Sequence, residues 1–201
     1  MDSALASEHA LHLPDTVRTA VKLLVAGPFA VGKTTYVGTL SEIRPLRTEE
    51  TMTQAGAPVD DLTGARDKTT TTVAMDFGRI TIGERIVLYL FGVPGQQRFT
   101  PLWKDLARGA YGALILVDTS RLEASFDVID LVERQGLPYA VAVNRFDGAP
   151  VFPDDEVREA LDLLPSTPLV TCDARDHASS VRALITLVHH LLAADAPQEH
   201  A

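Results

Sequence analysis

Apolar runs rich in branched residues recur along the chain, each bounded by Gly, Pro, Asp or Asn: Val21–Ala26, Arg85–Phe91, Ala113–Val117, Tyr139–Val143 and Leu169–Cys172. Runs this continuous, without alternation of polar and apolar positions, predict strands buried on both faces. Between them apolar positions return at helical spacing over Lys33–Ile43, Leu102–Ala107, Leu122–Arg134, Asp154–Leu163 and Ala178–Ala194. Strand and helix in alternation predict an α/β fold with a mostly parallel sheet and helices on both faces. Thr72–Ile80 and Arg85–Phe91, joined across Gly83, read as a hairpin. The expected sheet is therefore six-stranded with one antiparallel edge strand.

The pattern fades in three places. Residues 1–15 are polar and end near Pro14, which predicts a flexible N-terminal extension, with the fold beginning near Val17. Residues 44–71, rich in Thr, Asp, Gly and Pro, read as a long loop, and a loop of that length in a compact domain is usually functional. Residues 195–201 read as a flexible tail, leaving 16–194 as one domain. A length of 201 residues suits a single α/β core.

Composition narrows the partners. The net charge of −9 and the lack of any Lys/Arg run argue against nucleic acid. One cysteine, Cys172, sits in an apolar run and reads as a buried thiol in a reducing cytoplasm. No apolar run reaches the roughly 20 residues of a bilayer span. Asp2 stands where myristoylation needs Gly, and the C-terminal residues lack a prenylation cysteine, so membrane contact is expected only through a partner.

The strongest chemical signal follows the first strand. Gly27-Pro28-Phe29-Ala30-Val31-Gly32-Lys33-Thr34 satisfies G-x-x-x-x-G-K-[ST] and opens a predicted helix. Glycines let backbone N–H groups turn inward on phosphates, and the helix N-terminus adds its favourable dipole. Lys33 is placed to reach the β- and γ-phosphates, Thr34 to put its hydroxyl on Mg²⁺, and Thr35 to help at the α-phosphate. This loop is shared by kinases, ATPases and GTPases, so the base has to be read elsewhere.

Asn144-Arg145-Phe146-Asp147 follows the strand YAVAV and resembles the guanine-reading N-K-x-D of Ras-like GTPases, with Arg for Lys. Asp147 would accept from guanine N1 and N2, donors that adenine does not present together. Arg145 can lay its guanidinium over the base. Thr171-Cys172-Asp173-Ala174-Arg175 is similar to the family's S-A-K loop, which implies that the Ala174 N–H meets guanine O6, with Asp173 and Arg175 nearby.

Phe91-Gly92-Val93-Pro94-Gly95-Gln96-Gln97-Arg98-Phe99 resembles the family's W-D-x-A-G-Q-E-R-F. The resemblance gives the Gly95 N–H to the γ-phosphate and the orientation of the attacking water to Gln96. Gly92 departs from it, standing where an Asp normally holds a Mg²⁺-bound water. Thr72, in a run similar to T-I-G-V-E-F, matches the switch threonine that closes on Mg²⁺ and the γ-phosphate. Asp76 lies four residues after Thr72, hence on the same strand face, beside Gly92. It is the candidate to supply the missing carboxylate, although an ordinary solvent-facing Asp has the same pattern.

The chain most resembles MglA-type polarity proteins and the GTPases of actinobacterial conservons, over roughly residues 20–192. That implies a Ras-like G domain acting as a GTP/GDP switch in signalling, with Mg²⁺ as cofactor, slow intrinsic hydrolysis and a roadblock-fold regulator. Sensor-type proteins are further implied partners, and recruitment to the membrane would come through one of them. Thr71 stands where such proteins can carry an arginine finger, and Arg66, Lys68 and Arg98 read as solvated charges. Trp103 and Phe99 are expected to pack the second switch or to meet a partner, and His189 and His190 to lie on the helix surface. A non-hydrolysing guanine-nucleotide binder and a metabolite kinase or ATPase are the competing readings.

Overall fold

The computed structural model describes residues 13, 15–53, 70–95 and 100–195. Residues 1–12 of the proposed extension and the tail beyond Asp195 lie outside them, as do Arg66, Lys68 and the run Gln96–Phe99. The elements in chain order are β1 (Thr19–Ala26), α1 (Lys33–Leu40), β2 (Leu46–Thr53), β3 (Thr70–Ile82), β4 (Ile86–Gly92), α2 (Thr100–Ala107), β5 (Ala110–Val117), α3 (Phe126–Arg134), β6 (Tyr139–Asn144), α4 (Asp154–Ala160), β7 (Leu169–Cys172) and α5 (His177–Asp195). A 3₁₀ turn at Leu122–Ser125 precedes α3.

The sheet has seven strands in the order β2-β3-β4-β1-β5-β6-β7. Five pair in parallel, from β4 through β7, as the buried apolar runs predict. Two expectations are corrected at the other end. Residues 46–53, read as loop, form β2 and pair antiparallel with β3 from Leu46↔Phe77 to Thr53↔Thr70. The antiparallel strand β3 is consequently interior, and β2 is the edge. The segment LRTEETMT has neither an apolar run nor alternation, so its strand character comes from backbone pairing with β3, which periodicity does not register.

Each face of the sheet carries its own core. Leu23, Val25, Leu90, Leu114 and Leu116 meet Tyr36 and Val37 of α1 and Leu187 of α5. On the other face Leu24, Ile115, Val117 and Val141 meet Val128 and Val132 of α3, Val157 of α4 and Trp103 of α2. Trp103 is 1 % exposed and its indole N–H has no acceptor among the described residues. Cys172 is buried, as expected.

Helix α1 stops at Leu40, short of the expected Ile43, because Ser41 turns extended (φ −71°, ψ 127°) and its hydroxyl accepts the Arg79 N–H at 3.2 Å. Glu42 then accepts from Arg79 Nε at 2.9 Å and from the Thr81 N–H at 3.0 Å. The end of α1 is thus stapled to the part of β3 that pairs with β4. Among the described residues no helix is long and apolar enough to cross a membrane.

Candidate functional site

In open α/β sheets the crevice lies beyond the carboxyl ends of the strands where the chain order switches. Here β1 lies between β4 and β5, and the loop leaving β1 is Gly27–Gly32. Gly32 caps α1 in the left-handed region, φ 101°, and a Cβ there would lie 2.5 Å from Asn144 Nδ2. Only glycine satisfies both the dihedral and the approach. The loop is therefore closed against the strand-end residue of β6.

Lys33 bends back across the loop and donates to the carbonyls of Gly27 at 2.8 Å and Pro28 at 2.7 Å. Burial lowers the pKa of its ammonium to about 8, with the Asp76 carboxylate opposing the shift. Gly95 packs so closely on the loop that a Cβ would sit 2.0 Å from the Gly27 carbonyl oxygen. Residues 93–95 after β4 thus run against the start of the phosphate loop, anchored by the Val93 N–H on Val25 O at 3.0 Å.

Thr34 Oγ1 donates to Asp76 Oδ2 at 2.5 Å. Asp76 is the register partner of Gly92, and a Cβ on Gly92 would come within 3.0 Å of Asp76 Cβ and 3.2 Å of Oδ2. The glycine makes the space through which the neighbouring strand delivers its carboxylate. The Thr34 hydroxyl and the Asp76 carboxylate are hard oxygen donors brought together at the first turn of α1, a pair suited to Mg²⁺. Thr72 lies on β3, with its side chain outside what the structure describes.

Asn144, 4 % exposed, donates from Nδ2 to Val31 O and accepts the Ala174 N–H on Oδ1, both at 2.9 Å. It joins the phosphate loop to the loop after β7. Sequence reasoning gave the Ala174 N–H to guanine O6, whereas here Asn144 holds it; the Arg175 N–H is likewise taken by Asp173 Oδ1 at 2.9 Å. Asp147 and Arg145 are exposed beside this loop, and the Arg145 N–H is held by Cys172 O at 2.8 Å. Thr35, Arg145, Ala174 and Arg175 share the wall of a cleft of about 90 Å³.

Three supporting residues escaped the sequence reading. Thr39 Oγ1 donates to Ala174 O at 2.7 Å and Tyr36 Oη to Ser180 O at 2.8 Å, so α1 braces the loop after β7 and the first turn of α5 as well as the phosphate loop. Arg121, held by the buried Asp118 at 3.2 Å, donates to Phe29 O at 3.2 Å. The carbonyls they reach, of Ala174, Ser180 and Phe29, lie far away in sequence, and no spacing rule links them.

A strand, glycine-rich loop and helix at the switch point of a mostly parallel sheet, with a lysine across the loop, define a P-loop nucleotide-binding protein. Residues 25–194 match the family described as conserved hypothetical ATP binding protein, and the chain belongs to that family.

Proposed function

We propose that the chain is a Ras-like GTP/GDP switch, with residues 16–194 as its single G domain and slow intrinsic hydrolysis. The observation that carries this reading is the Asn144–Asp147 loop. Asn144 ties it to the phosphate cradle, and both Asp147 carboxylate oxygens engage paired N–H donors, at 3.2 and 3.3 Å, supplied here by Arg175. Guanine offers such a donor pair at N1 and N2; adenine does not.

In this mechanism the inward N–H groups of Gly27–Gly32 and the Lys33 ammonium bind the β- and γ-phosphates. Thr34 and Asp76 would hold Mg²⁺, which would offset the charge of the phosphate oxygens, and Thr72, about 13 Å from Asp76 along the extended strand β3, would join them only once that end of the strand unwinds. The Gly95 N–H meets the γ-phosphate and Gln96 orients the attacking water. Loss of the γ-phosphate then releases the segments around Thr72 and Gly95. A roadblock-fold regulator, sensor-type partners and partner-mediated membrane recruitment in the cytoplasm belong to the same proposal.

Lys33 gives this reading a pH signature. Phosphate binding favours the ammonium, so affinity is full below the pKa of about 8 and declines as pH rises through it. Between about pH 7 and about pH 9 the affinity for GDP is expected to fall by about tenfold. A labelled-nucleotide titration checks this; a flat profile would show that Lys33 stays charged throughout.

The deciding experiment loads the purified protein with GTP or ATP in the presence of Mg²⁺ and follows nucleotide retention and phosphate release over hours, alongside Gln96→Leu. GTP selectivity with slow GDP production, lost in Gln96→Leu, supports the switch. Tight GTP binding without turnover makes the protein a non-hydrolysing binder. Preference for ATP, in line with the family description, overturns the base reading.

A further inference from the structure

We infer that Arg175 is an internal competitor of the nucleotide base, occupying Asp147 as guanine would and leaving it when guanine binds. This rests on the guanine reading above. Arg175 Nη1 donates to Asp147 Oδ2 at 3.2 Å and Nη2 to Asp147 Oδ1 at 3.3 Å. The two donors flank one sp² carbon, as N1–H and N2–H flank C2 of guanine. A carboxylate engaged by one such fork has no edge free for the other, so base and guanidinium exclude each other at Asp147.

The remaining contacts show where the displaced side chain stays. Nε donates to Asp173 Oδ1 at 3.0 Å and Nη2 to Asp173 Oδ2 at 3.1 Å, while the Arg175 backbone N–H also bonds Asp173 Oδ1. Asp173 therefore tethers Arg175 from its inner edge. Released from Asp147, the planar group remains at the cleft wall, where it can lie over the base.

The cleft agrees with a gate in its closed position. Its volume of about 90 Å³ is far below the roughly 300 Å³ at which small-molecule sites begin. Asp147 is not on its wall and lines an adjoining cavity of about 410 Å³ with Phe146 and Phe152. Turning Arg175 away from Asp147 would open the cleft toward that cavity and bring the carboxylate onto a shared wall.

Exposed ion pairs are weak, so the gate slows entry without forbidding it. Arg175→Gln removes the charged fork and is expected to raise the association rate of GDP on the order of two- to fivefold. Inosine diphosphate lacks the N2 donor and competes for one carboxylate oxygen only, so its gain is expected to be smaller. Arg175→Lys, which keeps a point charge without the fork, should fall between wild type and Arg175→Gln.

Stopped-flow binding of GDP and inosine diphosphate to the three proteins, with thermal unfolding as a check on folding, tests the inference. Faster GDP entry in Arg175→Gln, with the smaller gain for inosine diphosphate, supports it. Unchanged or slower GDP entry in a folded Arg175→Gln overturns it and leaves the guanine reading intact. A wild type that takes up ATP and ignores GDP overturns both.

Discussion

Asp76→Ala is expected to weaken Mg²⁺-supported GDP binding by about 10- to 100-fold, the usual cost of removing a carboxylate that orients a metal site. Binding in EDTA should change far less. The argument is geometric: Asp76 Oδ2 lies 2.5 Å from the Thr34 hydroxyl, and it reaches there across Gly92, its register partner. Family logic would instead restore an Asp at position 92. Gly92→Asp alone should fail, because its Cβ would come 3.0 Å from Asp76 Cβ and set two carboxylates in one space. The exchange Gly92→Asp with Asp76→Gly removes both the Cβ contact and the second carboxylate and should recover much of the Mg²⁺ dependence. Titration of Mg²⁺ against labelled GDP for the three variants checks this, and an unaltered Mg²⁺ response in Asp76→Ala would remove Asp76 from the site.

Asn144→Ala should be strongly destabilising. The residue is 4 % exposed, and its truncation leaves the Val31 carbonyl and the Ala174 N–H without their partner. Unsatisfied buried groups cost about 1–3 kcal/mol each, so a loss of about 2–6 kcal/mol is expected. For a chain of this size that lowers the unfolding midpoint by about 5–15 °C. Nucleotide affinity should fall as well, since two loops lose their common anchor. Thermal unfolding of the two proteins decides it: a midpoint within about 2 °C of wild type would mean the loops are held by other contacts.

Both predictions mark how far the sequence was readable. The central parallel strands were legible because burial on both faces writes them as unbroken apolar runs. The phosphate loop was legible because its glycines and lysine answer to one ligand. Strand parity also placed Asp76 beside Gly92. β2 was hidden because an edge arm drawn in by backbone pairing needs no apolar stripe. The partners of Thr39, Tyr36 and Arg121 were hidden because folding, not spacing, brings them together. The bond from the Ala174 N–H to Asn144 was hidden because a motif names the ligand contact and is silent about the side chain beside it.

The one tryptophan of the chain is Trp103, packed on α2 at 1 % exposure with its indole N–H unbonded among the described residues. Indole emission moves to the red when water or a hydrogen-bond acceptor reaches the ring, so this chain carries a single indole fluorophore in a buried setting. Its colour reads the seating of one helix, which begins five residues beyond Gly95, the residue packed on the Gly27 carbonyl. Departure of that helix from the sheet can be timed optically, without a label and against no background from a second indole.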